Sequence, residues 1–122
     1  MSDFAVSVLH ADAAVVWLSL SGEFDVSAVG RASTALAEAE ALSPETVLVD
    51  LSALSFMDSS GLHWIVEAHE ATARKGSRLN LVAGPPGVHR VFEVTGVEKH
   101  VVFVPRPEGH QQTVISASVL GE

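Results

Sequence analysis

The stretch from Val47 to Leu62, VLVDLSALSFMDSSGL, constrains the fold more than any other part of the chain. Val47, Leu48 and Val49 form an apolar run of strand length, and Asp50 is expected to end it. After a loop come Asp58, Ser59 and Ser60, three consecutive residues whose side-chain oxygens accept the orphan N–H groups of a helix's first turn. Leu62, Ile65, Val66, His69 and Ala73 then recur at helical spacing, as a face for the core. The segment reads as strand, loop, helix. It places two hydroxyls at the positive end of a helix dipole, a position that suits an anion such as a phosphate.

The same alternation extends along the chain. Phe4 to His10 and Ala14 to Ser21 read as two strands with a tight connection at Ala11-Asp12, and Val16, Leu18 and Leu20 alternate with Trp17, Ser19 and Ser21. Gly22 to Asp25 is expected to be a loop. Val29, Ala32, Leu36 and Ala39 mark a helix from about Ser27 to Leu42, and the capped helix runs from about Ser59 to Lys75, with Gly76 as its C-terminal cap. Leu79 to Ala83 is a buried strand. The turn Gly84-Pro85-Pro86-Gly87 leads into a short helix with Val88, Val91, Phe92 and Thr95 on one face, stopped by Gly96. Val101 to Val104 is the last expected strand. Residues 108–120 are expected to form a final helix with Val114 and Ile115 inward. Strands alternating with helices imply an α/β fold, a mainly parallel sheet with right-handed crossovers, an antiparallel N-terminal edge strand and about four helices, in a single domain over residues 1–122.

Charge and composition exclude several classes of function. The net charge of -8 argues against nucleic acid, whose binding proteins carry basic patches. The one local basic group, Arg74, Lys75 and Arg78, falls where a helix ends and complements its dipole. With no cysteine there is no disulfide, thiol nucleophile or thiolate metal site. The six histidines show no obvious ligand spacing, so no metal site is expected. No P-loop occurs and no cofactor is implied. The N-terminus lacks the basic region of a secretory signal and no apolar run reaches the length of a membrane span, so no membrane association and a cytoplasmic location are expected.

The run from Asp50 to Leu62, D-L-S-x-L-x-F-M-D-S-S-G-L, resembles the signature of STAS domains of the anti-sigma factor antagonist type. The resemblance continues at Gly22-Glu23-Phe24-Asp25 and at Val88–Gly96, so it covers nearly the whole chain. It implies that Ser59, the first serine after the aspartate, is phosphorylated by a partner that is both a serine kinase and an anti-sigma factor. Unphosphorylated, the protein would bind that kinase and free the sigma factor; phosphorylated, it would release it, and a protein phosphatase would reset the switch. Such a protein is the substrate of this chemistry and not an enzyme. The alternative is a STAS subunit, structural or regulatory, of a transporter or stress-signalling assembly, with Ser59 only a cap.

Neighbouring residues fit either a local structural role or the partner surface. Asp58 either caps the helix or positions the Ser59 hydroxyl during phosphoryl transfer. Asp25 caps the first helix, and in a parallel sheet its loop emerges beside the Asp58 loop. Ser60 and Leu62 belong to the same surface, and Gly61 serves close approach to the loop or partner. His63, four residues after Ser59, stands where the family more often has a small residue. A Ser59–His63 hydrolase is disfavoured, because there is no G-x-S-x-G elbow and no third group to orient the histidine. Trp64 shares the outer side of the helix with Ala68 and Ala71. It either packs against a neighbouring helix or is partly exposed as an aromatic anchor for the partner, the role expected of it here.

Overall fold

In a computed structural model, which describes residues 3–10, 14–107 and 113–119, six strands form one sheet. They are β1 (Phe4–His10), β2 (Val15–Phe24), β3 (Thr46–Met57), β4 (Arg78–Val82), β5 (Val102–Phe103) and β6 (Thr113–Val119), in the order β5-β4-β3-β2-β1-β6. Neighbours from β2 to β5 are parallel, whereas β1 is antiparallel to both β2 and β6. Three α-helices occur among the described residues: α1 (Val29–Glu40), α2 (Ser59–Arg74) and α3 (Pro86–Thr95). Two 3₁₀ turns, Val26–Ala28 and Val97–Lys99, precede α1 and follow α3.

The one-sidedness of the fold follows from its strand order. From β2 to β5 each crossover advances in the same direction along the sheet, and right-handed crossovers then place every helix on the same face. That face holds the main core. Val16, Leu18 and Leu20 of β2, Val47, Val49 and Leu51 of β3, and Leu79 and Leu81 of β4 meet Ala32, Leu36 and Ala39 of α1, Ile65 and Ala68 of α2, and Val88 and Phe92 of α3. Small α1 residues let that helix approach the sheet closely. The Gly76 and Gly96 helix ends adopt the left-handed conformation that the sequence anticipates, at φ 83° and 77°.

The opposite face carries a second, smaller cluster of Trp17, Leu48 and Val82. Beside it lies Asp50, only 2% exposed. Its carboxylate accepts hydrogen bonds from Trp17 Nε1 at 3.3 Å, the Ser52 N–H at 2.9 Å and Arg106 Nε at 3.1 Å. The Arg106 guanidinium stacks over the Trp17 ring, 5.6 Å from its centroid.

Several expectations are corrected. Asp50 does not end its strand; β3 continues to Met57. The pairing of β2 with β3 shifts register between Ser19 and Ser21 and again between Gly22 and Glu23, each time with an extra residue on β3. These bulges break the two-residue alternation, and burial recurs instead at Leu51, Leu54 and Met57. β2 likewise runs through the expected loop to Phe24. The bend is made by Gly22, at φ 85°, where an added Cβ would lie 1.5 Å from the Asp3 carbonyl oxygen.

The final helix is replaced over its described part by strand β6; residues 108–112 and 120 of that expectation lie outside the described residues. In consequence β1 is an interior strand, with β6 outside it, and the α-helices among the described residues number three. The sequence of β6, TVISASV, is rich in β-branched residues, which suits a strand. The Ala11-Asp12 connection also lies outside the described residues.

The candidate site at the N-terminus of α2

The ends of β2 and β3 bring the two acidic loops together. Glu23 pairs with Phe56 and Phe24 with Met57, and the Asp58 N–H donates to the Phe24 carbonyl at 3.3 Å. Parallel pairing thus delivers both strands to the same end of the sheet. Asp25 accepts from the Ser27 N–H at 3.0 Å and the Ser27 hydroxyl at 2.5 Å, capping the 3₁₀ turn that enters α1. Asp58 accepts from the N–H groups of Ser60 at 2.9 Å and Gly61 at 3.4 Å, so it is the N-cap of α2.

Ser59 is the first residue of α2 and is exposed. The next residues turn inward. Gly61 is buried, and a Cβ there would lie 2.6 Å from Met57 Cγ and 3.0 Å from Phe24 Cγ. Its close approach is therefore to the strand ends. The hydroxyl-bearing turn is held by its glycine against a rigid sheet, which presents Ser59 outward from a fixed backbone.

The expected cradle for a phosphate is altered by these bonds. The Ser60 and Gly61 N–H groups are already taken by the Asp58 carboxylate. A phosphate on Ser59 would meet that adjacent negative charge, leaving mainly the helix dipole to favour it. The chemistry available at this position is display of charge outward, about -1.5 to -2 for a phosphate ester, without remodelling of the helix start.

His63 is exposed, and its Nε2 lies 3.3 Å from Glu67 Oε2, one helical turn on. That contact directs the ring along α2. A groove of about 550 Å³ runs beside the serine, lined by Ser59, Ser60, Leu62, His63 and Val66 of α2 and by Val97.

The expectation for Trp64 is overturned. It is 6% exposed, its Nε1 donates to Ser33 Oγ at 3.0 Å, and its ring packs 5.6 Å from that of Phe24. The buried side of α2 is Gly61, Leu62, Trp64, Ile65, Ala68 and Thr72, whereas Val66 and His69 are only half-buried and Ala73 is exposed. The side expected to face outward packs beside α1, which adds a second inward direction that a single-helix wheel does not contain.

Two surface residues were not singled out in the sequence. Val26, next to Asp25, is 73% exposed, and Phe56, two residues before Asp58, is 48% exposed. Both are apolar and flank the acidic loops. The available signal was an apolar residue within two positions of each aspartate in stretches read as loops.

Comparison with known proteins agrees with this architecture. The family model described as the STAS domain matches residues 7–110. An anti-sigma-B factor antagonist from Listeria monocytogenes is 24% identical over 107 residues, covering 88% of this chain and 93% of its own. The crystal structure of an anti-sigma factor antagonist from Mycobacterium paratuberculosis is 26% identical, with a TM-score of 0.73, over 84% of this chain and 86% of the other. The anti-sigma factor antagonist SpoIIAA in its unphosphorylated form is 25% identical, with a TM-score of 0.64, over 83% and 89% of the two chains.

Proposed function

Because this chain belongs to the STAS domain family, we propose that it is an anti-sigma factor antagonist switched by phosphorylation of Ser59. The reading is supported by the names of its relatives. The observation that carries it is the placement of Ser59, exposed as the first residue of a helix whose next turn is locked against the sheet through Asp58 and Gly61.

In the unphosphorylated state, the surface around Ser59 docks an anti-sigma factor that is also a serine kinase. The exposed Val26 and Phe56 supply apolar contact, and Asp25, Asp58, Ser60, Leu62 and His63 give the surrounding polar and steric detail. Gly61 acts from beneath, by holding the turn in shape. Trp64 acts only through the core. The kinase supplies its own catalytic base, which leaves Asp58 as a cap. Phosphate on Ser59 puts a second negative charge beside Asp58 in the contact and drives release. A phosphatase removes it.

The test is incubation of the purified chain with a candidate anti-sigma kinase and ATP, followed by phosphopeptide mapping and a binding assay. One phosphate on Ser59, absent in Ser59→Ala, with loss of the complex on phosphorylation, is the expected result. Phosphate on Ser60, or a complex indifferent to phosphorylation, would remove the switch from this model. Partner capture with Ser59 never modified would favour a non-switching subunit of a larger assembly.

A further inference from the structure

We propose that His89, Glu93 and Glu98 form a divalent-cation site joining α3 to the 3₁₀ turn that follows it. His89 and Glu93 stand four residues apart on α3 and so share a face of the helix, and Gly96 turns the chain back so that Glu98 faces them. One ligand atom from each of the three lies within 4.8 Å of the other two. The histidine adds an independent observation. Among the described residues its Nδ1 has no hydrogen-bond partner, and it is shielded from solvent, an unusual state for a polar atom and one that a bound cation on that nitrogen would resolve.

The ligand set is chemically selective. One imidazole with two carboxylates suits zinc and its first-row neighbours better than calcium or magnesium, which favour all-oxygen shells. Bonds of about 2.0–2.2 Å to tetrahedral zinc place ligand atoms roughly 3.4 Å apart, a spacing within reach of three groups that stand within 4.8 Å of one another. Glu93 and Glu98 are both exposed and free to rotate inward. His89 is already fixed, with its ring edge-on to Phe103 at 4.9 Å and beside Phe92 at 6.1 Å. A rigid histidine and two mobile carboxylates are a workable arrangement for capture, with water completing the shell. Arg90 lines the same hollow as His89 and Glu93, but it is exposed and can swing away.

The consequence reaches the serine groove. Glu98 follows Val97, which forms the wall of that groove opposite α2. A cation held by α3 and Glu98 fixes the position of that wall, independently of whether Ser59 is modified.

The test is calorimetric titration of the untagged 122-residue chain with zinc chloride, with cobalt(II) absorption as a second readout of coordination. One ion per chain is expected, with a cobalt spectrum characteristic of nitrogen and oxygen ligation. Glu98→Gln and Glu93→Gln should each weaken binding by at least about tenfold, the lower end of what even outer-shell changes cost at metal sites. Both residues are exposed, so these variants should fold normally, which melting in the absence of metal would check. His89→Gln should abolish the cobalt spectrum. Absence of saturable binding, or binding unchanged in Glu98→Gln, would overturn the site.

Discussion

At Gly61 the backbone of α2 lies so close to the end of β2 that a single methyl group has nowhere to go. Gly61→Ala must displace Met57 or Phe24, and we expect a loss of about 1–3 kcal/mol in urea unfolding, the range for overpacked cores. Because the same glycine sets the start of α2, phosphorylation of Ser59 should slow in that variant as well. Asp58→Ala frees the N–H groups of Ser60 and Gly61 and should cost about 1 kcal/mol, the usual value for a lost N-cap. Ser59→Asp is different. The dipole favours the new charge and Asp58 opposes it, so stability should stay within about 0.5 kcal/mol of the parent while partner binding falls. A melting temperature several degrees lower would mean that lost binding reflects lost structure. Trp64 is predicted to fluoresce as a buried indole, resistant to acrylamide in a Trp17→Phe background, with emission unchanged by partner binding.

Among the elements, β6 and β3 depart furthest from their sequence signals. β6 pairs along most of β1, from Ala5 with Val119 to His10 with Thr113, with one register shift between Val8 and Leu9. Removing residues 113–119 would leave β1 as an open edge, with unpaired N–H and C=O groups ready to pair with another chain. A chain ending at Pro107 should therefore lose stability and self-associate, which size-exclusion chromatography at increasing concentration would reveal. A monomer of parental stability would show that β6 contributes little. In β3, the two bulges matter for the site. They carry the strand past Asp50, bending it so that Met57 reaches Phe24 and Asp58 is delivered beside the end of β2.

Over the described residues, the helices cover one face of the sheet, and the other carries the cluster of Trp17, Leu48 and Val82 with the Arg106 guanidinium over the Trp17 ring. Asp50 sits beside this cluster with three donors. Asp50→Ala would leave the Trp17 indole N–H and the Ser52 N–H without their partner, and a cost of about 2–3 kcal/mol is expected. Arg106→Ala removes a cation that is itself largely exposed. Its cost should be smaller, about 1 kcal/mol or less after solvent screening, yet larger than that of an exposed arginine without such contacts. If the two substitutions proved equal, Arg106 would be the donor on which the buried carboxylate depends. Both are measurable by denaturant unfolding, and neither should alter phosphorylation at Ser59, since they act on the face of the sheet away from the helices.

Local chemistry alone determined the repeating strand–helix order, the capped start of α2, the glycine ends of α2 and α3 and the exposed place of Ser59. Each rests on interactions within a few residues, such as a carboxylate reaching the N–H two positions on, or a glycine adopting a positive φ. The resemblance carried by Asp50–Leu62 then added the family. Tertiary structure decided the rest. Whether Trp64 faces solvent depends on α1 lying beside α2, and whether Asp50 ends a strand depends on Trp17 and Arg106 arriving to bond it. Whether residues 113–119 are helix or strand depends on β1 offering an unpaired edge. The ligand geometry of His89, Glu93 and Glu98 likewise exists only once Gly96 has turned the chain. These outcomes depend on the positions of groups distant in sequence or on the path of the folded chain, and pairing and burial by such groups outweigh the local preferences that a periodicity can register.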